Sequence, residues 1–320
     1  MPYAKTHPQP RTPTPQPKAA IEVVDPIWLF KALALSVVAA LICAYATLCL
    51  LFYQGDWQLV LNPSHTVDRT PASAGLVSSD LRFDAAETGQ PRLTAWWIPA
   101  TPQQSGFQPK YKAFTVLYLH DGSGSLADTV PALARLHTAG LNVFAIDYRG
   151  FGASDGSVHP SQTRMAEDTA AALEYLTGTR HIPARNVILY GAGLGAALAA
   201  NLAHAHPELP AVILDNPDPD PASRAVARHP SRIVPVRLLF GRQFDIAIPL
   251  SSLTTPKLLI AGGLGSCPDS DGQPHTIASL QSLFQRTASP SLTVTLPPTN
   301  DDSAYQATLS RFLDQYLPTR

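Results

Sequence analysis

The stretch Asn186–Ala203, NVILYGAGLGAALAANLA, passes from an apolar run through three glycines at every second position into alanine-rich sequence. The β-branched and leucine run suits a strand covered on both faces. Glycines at that spacing permit a tight, left-handed turn. The alanines then favour a helix with a small face. A strand turning sharply into a closely packed helix is the unit this implies, and such units build parallel sheets.

The rest of the chain repeats the pattern. Strands are expected at Leu93–Ala100, Phe114–Asp121, Asn142–Tyr148, Asn186–Gly191, Ala211–Asp215, Lys257–Gly263 and Leu292–Pro297. Helices are expected between and after them at Ala127–Ala139, Ser161–Thr177, Leu194–His206, Ile277–Arg286 and Ser303–Tyr316. This alternation predicts an α/β class with a mostly parallel, doubly wound sheet. Only about 40 residues separate Asp215 from Lys257, which leaves room for a minimal lid.

Two segments precede that domain. Residues 1–26 carry seven prolines and little apolar periodicity, so they are expected to stay extended or disordered. Ala32–Tyr53 is a run of 22 residues without a charge, about 33 Å as a helix, enough for a hydrocarbon core of about 30 Å. A membrane helix over residues 27–53 and a domain over 54–320 follow. Trp28 at one end and Phe52, Tyr53 and Trp57 at the other suit the two interfaces. A cleaved signal peptide with Ala44–Ala46 as its small-residue site is the rival, against which the run continues well past that point. Lys5, Arg11, Lys18 and Lys31 lie before the span, and Arg69 is the first lysine or arginine after it. That asymmetry predicts a cytoplasmic N-terminus in the inner or plasma membrane, with the main domain periplasmic or extracellular.

A net charge of −1 gives no reason to expect nucleic acid as a partner. The three cysteines, Cys43, Cys49 and Cys267, form no metal-ligand spacing, so no metal is expected.

The glycine turn has two readings. Gly191, Gly193 and Ala196 fit a G-x-G-x-x-G/A dinucleotide turn, with Asp215 about 20 residues on as the ribose acid. At least three strands precede the turn, however, where a dinucleotide domain usually places it after the first. The other reading is an elbow that exposes a nucleophile, in which Gly193 stands at the nucleophile's place.

Two further segments, LYLHDGSGSL and DYRGFGASDG (Asp147–Gly156), carry a resemblance. With them the chain resembles an α/β-hydrolase, of the branch of N-terminally membrane-anchored serine hydrolases, over about Phe52 to Leu317. The resemblance implies a serine nucleophile in G-x-S-x-G, an acid after the strand at Lys257 and a histidine after the last strand. Those three places read Gly193, Gly265 and Asp301, and no histidine follows His275. The implied oxyanion loop reads His120-Asp121-Gly122 where the family resembles His-Gly-x, with Gly193 and Leu194 completing the pocket. A carboxylate about 5 Å from a developing negative charge costs about 3 kcal/mol at an effective dielectric near 20.

These substitutions predict a pseudo-hydrolase with no catalytic triad and no cofactor, which binds a small ligand or a protein. An enzyme with a relocated catalytic set is the alternative, using Asp121, His120, Ser123, Ser125 or Asp269; the dinucleotide binder is a third. Ser154 is expected to be structural. Asp215, Asp218 and Asp220 are expected in a solvated turn, and Trp96 and Trp97 to divide between core and surface.

Overall fold

The computed structural model describes residues 25–84, 92–101, 110–228, 233–262, 277–297 and 302–317. The chain divides into two compact units after Leu50. Helix α1 (Pro26–Gly55) has no buried residue and is long and apolar enough to cross a membrane. The expectation for the proline-rich tail falls on residues 1–24, outside the described residues.

A short 3-10 turn, Asp56–Leu59, follows α1 and leads to strand β1 (Asn62–Pro63). Then come β2 (Ser79–Phe83), β3 (Leu93–Ile98), β4 (Thr115–Leu119), β5 (Ser123–Gly124), α2 (Leu126–Thr138) and β6 (Asn142–Asp147). The chain continues through α3 (Gln162–Glu174), β7 (Val187–Ala192), α4 (Gly195–Ala205) and β8 (Val212–Asp215). A cap of three short helices follows, α5 (Pro221–Arg228), α6 (Val236–Phe240) and α7 (Ala247–Ser252). The chain closes with β9 (Lys257–Gly262), α8 (Ile277–Gln285), β10 (Ser291–Leu296) and α9 (Ser303–Tyr316). The sequence reading contained neither β2 nor the cap helices.

Among the described residues, eight strands form one sheet in the order β10-β9-β8-β7-β4-β6-β3-β2. Every pair from β10 to β6 is parallel, and β3 alone runs against the rest, antiparallel to both β6 and β2. The two faces bury separate apolar sets. One packs Leu119, Ile146 and Leu189 under α3 and α4; the other packs Val116, Val143 and Ile188 under α2 and α9. Trp96 and Trp97 follow the same alternation, but both faces are covered. Trp96 enters the second set, and Trp97 packs half-buried against the first under Arg180.

The DYRGFGASDG segment is a set of internal ties. Asp147 accepts the Leu126 N–H at the start of α2 (2.9 Å), and the Tyr148 hydroxyl donates to His120 O (3.0 Å). Arg149 Nε donates to buried Asp168 of α3 (2.6 Å). Ser154 donates to Asp147 O (2.7 Å) and accepts the Thr94 N–H (2.9 Å), which makes it a brace between loop and sheet.

Helix α4 approaches the sheet closely because glycine and alanine line its inner face. A Cβ on Gly195 would fall 2.5 Å from His120 O, and one on Gly191 2.5 Å from Ala196 Cα. Backbone cannot yield as a flexible side chain can. Gly195→Ala is therefore expected to cost about 2–4 kcal/mol, read as a lowered denaturant midpoint at unchanged m-value.

Candidate functional site

The elbow forms where β7 and β4 end side by side, with Leu119 paired to Gly191 and Ala192 to Asp215 on the neighbouring strand. Gly193 has φ +55°, the left-handed region in which an ordinary side chain is strained. Its N–H donates to Asp215 O (3.0 Å), so the corner is tied to β8. The turn has the shape of an elbow and carries glycine at its corner.

Asp121 takes the space. Its Oδ1 accepts the Leu194 N–H at 2.7 Å, and a Cβ built on Gly193 would overlap Oδ1 and Cγ of that carboxylate. The N–H of the residue after the nucleophile is the donor that an elbow of this kind offers to an oxyanion. Here the protein's own carboxylate holds it. The direction of the Asp121 side chain, open at the level of sequence, is inward.

Apolar side chains close over the pair. A Cβ on Gly122 would lie 2.6 Å from Leu194 Cδ1 and 2.7 Å from Leu61 Cδ2, so the glycine admits both leucines. Val60, Leu61 and Leu194 are buried, and Asp121 is 9 % exposed. The covering strap follows directly from α1. Asn62 N–H donates to Gly122 O (2.7 Å), Ser64 N–H to Gly124 O (2.8 Å), and Trp57 stacks on His159 at 5.1 Å. Trp57, read in the sequence as an interfacial anchor, thus packs on the domain. The run WQLVL after the span was the available signal for the strap.

His120 faces away from the elbow. Its Nδ1 lies 2.6 Å from Asp121 O, which can only accept, so Nδ1 carries the proton. Nε2 faces Asp147 Oδ1, 3.5 Å away and without a hydrogen bond. Burial pushes the imidazole down and the Asp147 carboxyl up, against their mutual attraction. The imidazole is enclosed, packed beside Tyr148 and Phe151.

The remaining expected residues separate. Ser125 caps α2, receiving the Ala127 N–H (3.3 Å) and donating to Thr66 O (3.0 Å). Ser123 is exposed on β5. Gly265, Asp269 and Asp301 lie outside the described residues.

The acidic loop corrects the sequence reading. Asp215 and Asp218 are buried, where a solvated turn was expected. Asp215 accepts the Tyr190 hydroxyl (2.5 Å) and the Asn216 amide (2.8 Å), and Asp218 pairs with Arg224 at 3.0 Å. Asp220 holds the start of α5 through Ser223 N–H (3.0 Å). An Asp215 committed to Tyr190 inside the core is not presented to a ribose. Among the described residues no group of three or more His, Cys, Asp or Glu is placed to hold a metal.

If Asp121 fills the nucleophile's space, restoring the nucleophile alone must fail. Gly193→Ser is expected to cost about 2–4 kcal/mol, from left-handed strain and overlap with Asp121. Adding Asp121→Gly should return at least about half of that loss in a double-mutant cycle of chemical unfolding. Additive effects would place the carboxylate elsewhere.

Known proteins share this architecture. Residues 112–285, more than half of the chain, match the family described as serine aminopeptidase, S33. The alpha/beta hydrolase domain-containing protein WAV2 of Arabidopsis thaliana is 32 % identical over 149 residues, 46 % of this chain and 45 % of that protein. An uncharacterized protein of Mycobacterium tuberculosis is 32 % identical over 172 residues, 54 % of this chain and 57 % of that one. The chain thus spans about half the length of these curated relatives. Among solved structures, an esterase of Pyrococcus furiosus aligns at TM-score 0.58 and 18 % identity over 81 % of this chain and 99 % of its own. A serine hydrolase without lid from Xanthomonas campestris aligns at 0.53 and 18 % identity, over 76 % and 96 %. With its sheet order, its glycine elbow and this family match together, the chain belongs to the serine aminopeptidase S33 family of α/β-hydrolases.

Proposed function

We propose that this protein is a membrane-anchored α/β-hydrolase-fold protein that has given up serine hydrolysis and works by binding a ligand or a partner protein. The observation that carries this reading is the Asp121 Oδ1 to Leu194 N–H bond at 2.7 Å. A donor already bound to a carboxylate gives no stabilisation to a tetrahedral oxyanion, and such a donor is worth a few kcal/mol of barrier. Gly193 supplies no oxygen, and no histidine follows His275. Nucleophile, base and anion site are compromised together, which is the pattern of an abandoned mechanism. α1 anchors the chain, and the basic residues before it set the N-terminus in the cytoplasm.

A second reading keeps chemistry at the same place. The Asp121 carboxylate stands close to where a serine oxygen would, so among the described residues it is the group placed to act as a relocated nucleophile. Against it, Oδ1 is tied to Leu194, and His120, the histidine nearest in sequence, faces Asp147.

Treatment of the full chain with a fluorophosphonate probe is expected to label no serine; labelling of any serine overturns the binding reading. Acid-quenched turnover of an ester with a radiolabelled acyl group separates the second reading, because a carboxylate nucleophile would displace the alkoxide and hold the labelled acyl group on Asp121 as a mixed anhydride. The binding reading predicts an unlabelled Asp121.

A further inference from the structure

The cap contributes apolar side chains to solvent. Of the six exposed large apolar residues described beyond Gly55, four belong to it: Val226, Ile233, Leu238 and Ile248. Leu238 is 79 % exposed and Ile233 68 %, while Val234, Val236 and Phe240 beside them are buried. The cap is thus held to the domain by one side and offers the other. Next to Leu238 lies a cleft of about 440 Å³ bordered by Asp220, Arg237, Arg242 and Asp245. Arg237 is 70 % exposed and 3.5 Å from Asp220. Apolar side chains flanked by arginines on an exposed surface are the composition of a face that sits among lipid headgroups.

Chain connectivity says which surface is near. Helix α5 packs against the Asp56–Leu59 turn, and that turn starts at the residue following α1. Four residues of chain reach at most about 14 Å. Whatever direction α1 takes, its C-terminal end stays within that distance of the turn on which the cap rests.

We propose that the face of the cap carrying Ile233 and Leu238 docks on the phospholipid surface into which α1 inserts, with Arg237 and Arg242 meeting lipid phosphates. The proposal rests on the reading of α1 as a membrane anchor. It has a structural consequence: the strap over the elbow, which joins α1 to the domain, then lies at the lipid surface.

Nitroxide scanning of the full chain in nanodiscs of phosphatidylcholine and phosphatidylglycerol tests it, in a version whose three cysteines are replaced by alanine. Labels go singly at Leu41→Cys in α1, at Ile233→Cys and Leu238→Cys in the cap, and at exposed Thr138→Cys, where α2 ends away from the elbow. The expected result is an oxygen-to-nickel accessibility ratio several-fold higher at 41, 233 and 238 than at 138. A lipid-like value at 41 with water-like values at 233 and 238 overturns the docking and leaves the anchor standing. A lipid-like value at 41 with low accessibility to both reagents at the cap shows a protein partner or a second copy there, and also overturns it. A water-like value at 41 overturns the anchor, and the docking with it. Both cap positions are exposed, so cysteine there does not disturb packing.

Discussion

A carboxylate accepting one backbone N–H organises this protein. Asp121 Oδ1 on Leu194 N–H joins the end of β4 to the start of α4. Charge-assisted hydrogen bonds of this kind are stronger than neutral ones, and the start of a helix favours the negative charge. The bond requires glycine at 193, because any Cβ there meets the same carboxylate. Glycine at 193 and aspartate at 121 are thus two sides of one packing solution.

The surrounding structure packs closely around this corner. Gly191 and Gly195 still let α4 lie against the sheet, and Gly193 still turns through φ +55°. The strap of Val60 and Leu61 closes over the filled corner, pinned through Asn62 and Ser64 to the loop after β4. A site built to admit substrate would leave this volume open. Here Val60, Leu61 and Leu194 are buried around it, so the glycine corner is a well-packed element.

Much of the fold is legible in the sequence because its signals are local. Long runs such as Val187–Ala192 and the alanine face of α4 declare their state within one element, and the observed ends fall within a few residues of those expected. The cap is not legible in this way, since α6 and α7 have five and six residues and form only by packing. Asp215 and Asp218 look like a solvated acidic turn until Tyr190 and Arg224, distant in the chain for Asp215, arrive as partners. The direction of Asp121 belongs to the same class. The sequence shows that a carboxylate replaces glycine, but only the meeting of β4 with α4 decides where it points. Gly265 and Asp301 lie outside the described residues.

The Leu194 amide reports on this bond directly. Its hydrogen exchange, followed by NMR in the full chain with ¹⁵N-leucine labelling, is predicted to be slow in the native protein and to stay slow in Asp121→Asn, which keeps an acceptor oxygen. In Asp121→Ala it is predicted to quicken strongly while amides in the interior of β7 keep their protection. An exchange rate at Leu194 indifferent to all three side chains would mean that the carboxylate does not hold the elbow, and the account built on it would be wrong.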